Sequence, residues 1–230
     1  MAAITDTDRF RQGSGRLCLD FLRTLRHRGR PDAAEELTDP AALAAWVRQF
    51  APRPGRPDRP AAAPGPAEVA AARDLREAVH RLIGTARGAS GPDGPDGARG
   101  ANGTCGTERG HGGGNGHHTD ALAGFDRTDA DRINRAAAHP APTPELDPAG
   151  HLTWHADDPV AATLALVARD ALDLATSAAA TRVRECAGPD CCALFLDNSR
   201  PGTRRWCSMD ICGNRAKKAA LRGRAATAGA

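Results

Sequence analysis

Apolar positions along the chain fall into runs of helical period, separated by Pro- and Gly-rich connections. In Leu17–Leu25 (LCLDFLRTL), Leu17, Phe21 and Leu25 recur at spacing four. Leu17, Leu19 and Phe21 also alternate, so the first half reads either as helix or as strand. Asp39 predicts an N-cap with Pro40 at the first helical position, after which Leu43, Trp46, Val47 and Phe50 share one face. A Pro/Arg linker from Pro52 to Pro66 leads to a third predicted helix, about Ala67 to Ile83, burying Ala72, Leu75, Val79, Leu82 and Ile83. Order is next expected over Ala121–Ala138, anchored by Leu122, Phe125 and Ile133, and Leu152 with Trp154 predicts a short strand or hairpin. Asp158 and Pro159 then open a long helix with a stripe of Val160, Leu164, Val167, Ala171, Leu174 and Ala178. Leu166 and Leu172 widen the stripe, which places this helix centrally. With no break signal before Gly188, it is expected to run straight into a group of cysteines.

Composition refines this outline. Leu, Val, Phe and Ile together supply only 33 of 230 residues, while Ala supplies 48, so the core is expected to be Ala-rich and helical. From Gly84 to Gly116, 13 of 33 residues are Gly and nothing large is apolar. Such a segment cannot offset its ordering entropy, and a flexible insert over about 84–118 is predicted. Its histidines, His111, His117 and His118, read as a Gly/His-rich loop rather than a metal site, and Cys105 as an incidental thiol. The predicted fold class is mainly α: an Ala-rich helical domain over 1–181, then a small four-cysteine zinc module over 182–224. The module has short hairpin arms and a C-terminal helix, and 225–230 form a disordered tail.

The polar, acidic start (Met1–Phe10) carries no signal-peptide pattern, and the most apolar stretch, Val160–Ala180, is interrupted by Arg169, Asp170 and Asp173. The expectation is a cytoplasmic protein without a membrane span, in which seven cysteines serve as metal ligands or reduced thiols rather than disulfides. Five of them lie close together: Cys186, Cys191, Cys192, Cys207 and Cys212. Cys186/Cys191 and Cys207/Cys212 each form C-x4-C, with 15 residues between the pairs. This spacing fits a tetrahedral four-thiolate zinc site, with Cys186, Cys191, Cys207 and Cys212 as ligands to one structural Zn2+. Gly188 and Pro189 turn the chain inside the first pair. Asn198–Gly202 turns it between the pairs, leaving Leu194–Leu196 and Arg204–Trp206 as short arms. Cys212 opens a helix, and Gly213 serves the tight turn at the ligand. The alternative for the vicinal Cys191–Cys192 pair is redox chemistry or soft-metal sensing. No His follows His155, which argues against a hydrolytic zinc.

The motifs CAGPDC, LFLDNSRPGTRRWCSM and CGNRAKKAALRGR resemble the CGNR zinc finger over Val183 to about Arg224. Cys192 stands where that family commonly has Gly, and it is left out of the ligand set. Upstream, LCLDFLRTL is similar to the LDFxNT motif of the ABATE domain, with Arg23 in place of the Asn. LAAWV and DLREAVHRLI resemble its Leu/Trp and LREA helices. The resemblance implies a bacterial transcriptional regulator.

Charge is concentrated on the same segment. Arg182–Arg224 holds ten basic and four acidic residues, a net of +6, which leaves −3 for the rest of a chain whose total is +3. Arg200, Arg204 and Arg205 lie on the turn and second arm. Arg215, Lys217, Lys218, Arg222 and Arg224 lie on the last helix. These side chains, with Asn214, are the candidate contacts to double-stranded DNA, Asn214 and Arg215 being nearest to base edges. Asn214 can equally hold a hydrogen bond beside the ligand, and the basic helix can simply offset the tetrathiolate charge. The helical domain is then expected to sense a ligand or form a homodimer, and to fold without metal. The alternative is a zinc-dependent interaction module docking on a protein such as the transcription machinery, without direct DNA contact. No nucleophile–base constellation or phosphate loop is visible, so no enzyme is expected.

Overall fold

The computed structural model describes residues 9–52, 63–88 and 122–228, with side chains to residue 222. Among the described residues six α-helices carry the fold: α1 (Leu17–Leu22), α2 (Pro40–Phe50), α3 (Pro66–Gly88), α4 (Arg127–Ala138), α5 (Pro159–Thr176) and α6 (Asn214–Ala228). Six strands form three antiparallel pairs: β1 (Leu25–Arg26) with β2 (Ala34–Glu35), β3 (Thr143–Leu146) with β4 (Leu152–His155), and β5 (Val183–Glu185) with β6 (Leu194–Leu196). The mainly α class holds. Among the described residues no helix is long and apolar enough to cross a membrane.

Local chemistry explains the helix starts. The Asp39 carboxylate accepts from the Ala42 N–H at 2.8 Å, and Asp158 from the Ala161 N–H at 2.9 Å, each with Pro next in sequence. Asp126 caps α4 in the same way. The ambiguous Leu17 segment resolves as helix, because Cys18, Leu19, Phe21 and Leu22 are all buried, a wider face than a strand could hide.

α5 is central and packs against α1, α2, α3 and α4. Trp46 lies edge-on to Phe21 and stacks on Phe50, both at 4.8 Å between ring centroids.

Two helix ends differ from expectation. α3 continues past Ile83 to Gly88, because Ala86 is still buried and Gly84 sits on the open side of the helix. Residues 84–88 are therefore helical; the rest of the predicted insert, with Cys105, His111, His117 and His118, lies outside the described residues. α5 stops at Thr176, short of the cysteines. Ser177 takes an extended backbone, and its hydroxyl donates to the Leu174 carbonyl at 3.0 Å, competing with helix continuation. A 3-10 turn, Ala178–Arg182, leads into β5.

The β5–β6 hairpin joins the two parts of the molecule. Val183, Leu194 and Leu196 are buried in the helical core, while Phe195, on the opposite face of β6, packs with the cysteines. The second edge of β6 is occupied as well, since the Leu196 N–H donates to the Ser14 carbonyl at 2.8 Å. Gly15 makes that crossing possible. Its φ is +91°, and a Cβ there would meet Leu196 Cβ at 3.1 Å and the Leu196 carbonyl at 3.4 Å. Gly15→Ala is expected to cost about 1–3 kcal/mol, by left-handed strain and by pushing the crossing chain off β6, in a urea melt of the full-length protein. A melt unchanged from wild type would show that the crossing contributes little.

Candidate metal centre

Cys186 follows β5 directly, and Cys191 closes the next turn, its N–H donating to the Gly188 carbonyl at 3.1 Å. The turn passes so close to Cys191 Cβ that only glycine fits without adjustment. A Cβ on Gly188 would lie 3.2 Å from Cys191 Cβ, 3.6 Å from Cys186 Sγ and 3.7 Å from Cys212 Sγ.

The second pair is brought in by a buried carboxylate. Asp197, immediately after β6, accepts from the Ser199 N–H, the Ser199 hydroxyl and the Arg204 N–H at 2.9, 2.6 and 3.0 Å. Burial pushes its pKa up, but these donors more than compensate and hold it below the usual aspartate range. The Asn198–Gly202 turn is thereby tied to the hairpin. It returns the chain so that the Ala187 N–H meets the Arg205 carbonyl at 2.9 Å, and the Cys207 N–H points at Cys186 Sγ at 3.4 Å. Leu194–Leu196, read as the first arm, is a strand and pairs with β5, while Arg204–Trp206, read as the second, is not a strand. In that register Val183, Leu194 and Leu196 are all buried in the helical core.

Cys212 lies in a wide π-type turn, Met209–Gly213, that opens onto α6. The Ser208 hydroxyl accepts from the Ile211 N–H at 3.3 Å, and the Ser208 carbonyl accepts from both Cys212 and Gly213. Gly213 is not left-handed, so a tight turn is not its task. Met209 lies across it instead, and a Cβ there would meet the Met209 Cε at 2.9 Å.

The four sulfurs of Cys186, Cys191, Cys207 and Cys212 all lie within 4.8 Å of one another. Cys191 and Cys207 Sγ are 3.5 Å apart, Cys207 and Cys212 Sγ 3.7 Å. Four sulfurs at about 2.3 Å from one zinc would be separated by about 3.8 Å. Cys186, Cys207 and Cys212 are buried, and Cys191 is half-buried. Such crowding couples the thiols. Hydrogen bonds from Cys186 and Cys207 draw Cys191 down to about 2, hydrogen bonding with Cys186 and Cys191 pushes Cys207 far up, and burial and the Cys191 charge push Cys212 up to about 12. Four thiolates in this space need a cation among them. The donor set fits one structural zinc, which Cys186, Cys191, Cys207 and Cys212 would hold, leaving no open position for catalysis.

Cys192 is outside the cluster. Its φ is +48°, in the left-handed region that favours glycine.

The basic candidates surround the centre. Arg200, Arg205, Arg215, Lys217, Lys218 and Arg222 are exposed, and Arg205 lies over the Trp206 ring at 5.3 Å. Arg204 faces inward. Its guanidinium stacks over Phe195 at 4.7 Å and donates to the carbonyls of Trp206 and Cys207 at 2.9 and 2.5 Å, which holds the Cys207 loop. Asn214 donates from its amide to the Asp210 carbonyl at 3.1 Å, bracing the wide turn. The side chain of Arg224 is outside the described region.

Sequence reasoning missed the ion-pair cluster beneath the helical motifs. Arg76, 2% exposed, forms a fork to Glu35 at 2.7 and 2.6 Å, and reaches Thr24 Oγ1 at 3.1 Å and Glu77 at 3.0 Å. Glu77 also pairs with Arg28. Arg23, where the related motif has Asn, is buried and donates to the Gln12 carbonyl and Ser14 hydroxyl, both at 3.1 Å. A charged residue at an i+4 position of the buried face of α3, four before His80, was the available signal for Arg76.

A comparison with curated proteins finds no match. Family models match the chain twice. Residues 15–178 match ABATE, described as "Putative stress-induced transcription regulator", and residues 182–225 match the CGNR zinc finger. The first match alone spans well over half of the 230 residues and contains the Arg76 cluster; the second contains all four clustered cysteines. The chain belongs to the ABATE family and carries a C-terminal CGNR zinc finger.

Proposed function

We propose that the protein regulates transcription by contacting double-stranded DNA through the basic surface of its zinc finger. One contrast carries this reading. Nine of the sixteen described arginines between Arg9 and Arg169 pair with carboxylates, among them Arg16 with Asp170 and Asp173, Arg26 with Glu36, Arg28 with Glu77, Arg73 and Arg76 with Glu35, and Arg81 and Arg132 with Asp129. On the finger, Arg200, Arg205, Arg215, Lys217, Lys218 and Arg222 are exposed, and none makes an ion pair with a described residue. Cations left unneutralised on one metal-anchored unit suit a polyanion with regularly spaced charge. Arg204 and Asn214 support this surface from below by holding the Cys207 loop and the start of α6. The helical domain would supply the sensing or dimer-forming part.

A second reading has its own observation. Met209, Ile211 and Leu221 are 61%, 37% and 52% exposed on the same finger, as an apolar contact for a protein partner would require.

Fluorescence anisotropy on a labelled duplex separates the two, using full-length zinc-loaded protein. Affinity should fall with salt at a log–log slope of about −0.9 per phosphate neutralised. Replacing Lys217, Lys218 and Arg222 together by Glu should weaken binding at least about tenfold without releasing zinc. Absence of salt-dependent binding at low ionic strength, with capture of a protein that requires Met209 and Ile211, would favour the interaction module.

A further inference from the structure

Among the described residues five large apolar side chains are exposed, and they fall into two patches: Leu146 (74%) and Leu152 (60%) on the β3–β4 hairpin, and Met209, Ile211 and Leu221 on the finger. The hairpin patch follows from the pleat. Pro144 pairs with Trp154 and Leu146 with Leu152, so these four side chains share one face, while Thr143, Glu145, Thr153 and His155 take the other. Alternation of this kind normally turns its apolar face to a core, yet here both leucines face solvent and the sheet ends at two strands. The two patches carry opposite charge. Between Arg135 and Arg169 the chain has four acidic residues, Glu145, Asp147, Asp157 and Asp158, and no Lys or Arg. On the finger, Arg215 closely follows the Met209–Gly213 turn, and Lys217 and Lys218 stand one helical turn from Leu221.

Neither patch covers the other within one chain, since both are exposed in it. β4 ends just before α5 begins, and the finger is entered beyond the far end of that helix, which is about 27 Å long. We infer that the acidic hairpin of one copy docks on the apolar, basic surface of the finger of a second copy, and that two copies do so reciprocally about a two-fold axis. An apolar centre rimmed by opposite charges has the make-up of a specific interface. One such contact is small against the roughly 1,200–2,000 Å² that a stable interface buries, and the two-fold axis doubles it. Like patches do not fit each other: hairpin on hairpin sets four carboxylates against four, and finger on finger sets cation against cation. The inference rests on the protein-contact reading of Met209, Ile211 and Leu221, and names their partner as the same chain. Because the docked hairpin would lie against Lys217 and Lys218, self-association and DNA contact would compete for the finger.

Sedimentation velocity of full-length zinc-loaded protein across the micromolar range, without DNA or any other protein, tests this. A monomer–dimer equilibrium is expected. Leu146→Asp/Leu152→Asp on the hairpin and Ile211→Asp/Leu221→Asp on the finger should each raise the dimer Kd at least about tenfold. All four side chains are exposed, and native mass spectrometry checks that the finger variant keeps its zinc. If it does not, Lys217→Glu/Lys218→Glu takes its place. An equimolar mixture of the hairpin and finger variants should associate more tightly than either alone, because each mixed pair retains one intact hairpin–finger contact. Loss of association in only one of the two variants would overturn the inference in favour of hairpin–hairpin or finger–finger pairing, and so would a mixture no tighter than its components. A monomer at every concentration, or a dimer indifferent to both variants, would overturn it outright. Either result would still leave DNA contact, and contact with a different protein, to the anisotropy and capture measurements above.

Discussion

Cys207→Ser should abolish stoichiometric zinc binding and unfold the finger beyond its hairpin. Cys207 is the most buried of the four sulfurs' residues, and its N–H and carbonyl are both engaged at the centre. Structural zinc in small modules contributes about 10–16 kcal/mol of apparent folding energy. The finger has little to replace it: its own cluster consists of Phe195 and cysteines, with Cys191, Ala193 and Trp206 at the edge. Native mass spectrometry should find one zinc per chain in wild type and in Cys192→Ser, and none in Cys207→Ser. Hydrogen exchange should then accelerate over Asp197–Arg222, while α2, α3 and α5 keep their protection. Retention of Val183 and Leu196 protection is also expected, because the helical core holds that hairpin. If Cys192→Ser lost zinc while Cys191→Ser kept it, the ligand assignment would be wrong.

The second large effect is expected at Arg76. Arg76→Met removes the guanidinium that binds Glu35 on two oxygens, and leaves Glu35 with the Leu37 N–H at 2.9 Å and the more distant Arg73 at 3.6 Å. Removing one partner of a buried pair costs about 3–5 kcal/mol, and the lower end applies here because Glu35 is partly exposed. The pH dependence has a definite sign. Burial pushes Glu35 and Glu77 up, but Arg76 beside Glu35 and Arg28 beside Glu77 outweigh it, so both are held below the usual glutamate range. A carboxylate lowered in the folded state stabilises fully above its unfolded pKa, and that contribution is lost as pH falls through the folded value. The wild type should therefore lose stability below about pH 4.5, more steeply than Arg76→Met. Urea melts at pH 7 and across pH 5 to 3 measure both, and the comparison cancels acid effects on the shared zinc site. Equal stability and equal acid slopes would remove the cluster from the account of the fold.

The zinc site was legible because its information is local. Two C-x4-C pairs, with a Gly-Pro inside the first and an NSRPG turn between the two, leave the chain few ways to arrange four sulfurs. The capped starts of α2 and α5 were legible for the same reason, each being one Asp-Pro step followed by a period. What was hidden depends on partners distant in sequence. The end of α5 carries no Gly or Pro, and the chain leaves the helix through the Ser177 hydroxyl and the later pairing of Val183 with Leu196. Arg76 reads as a surface charge until Glu35, 41 residues away, is placed against it.

The two-sidedness of β6 bears on how such a finger can be inherited. Leu194 and Leu196 belong to the helical core and Phe195 to the metal cluster, while Ser14 and Gly15 line the strand's outer edge. A finger grafted at residue 182 onto an unrelated chain would arrive with three core side chains exposed and would leave a matching hole behind. Recombination at that point is therefore penalised on both sides of the cut, and the two modules should travel through descent as a linked pair. Changes at Leu196 should be tolerated only alongside changes around Gly15, so paired substitutions across these positions are where divergence between members of the family should first be sought.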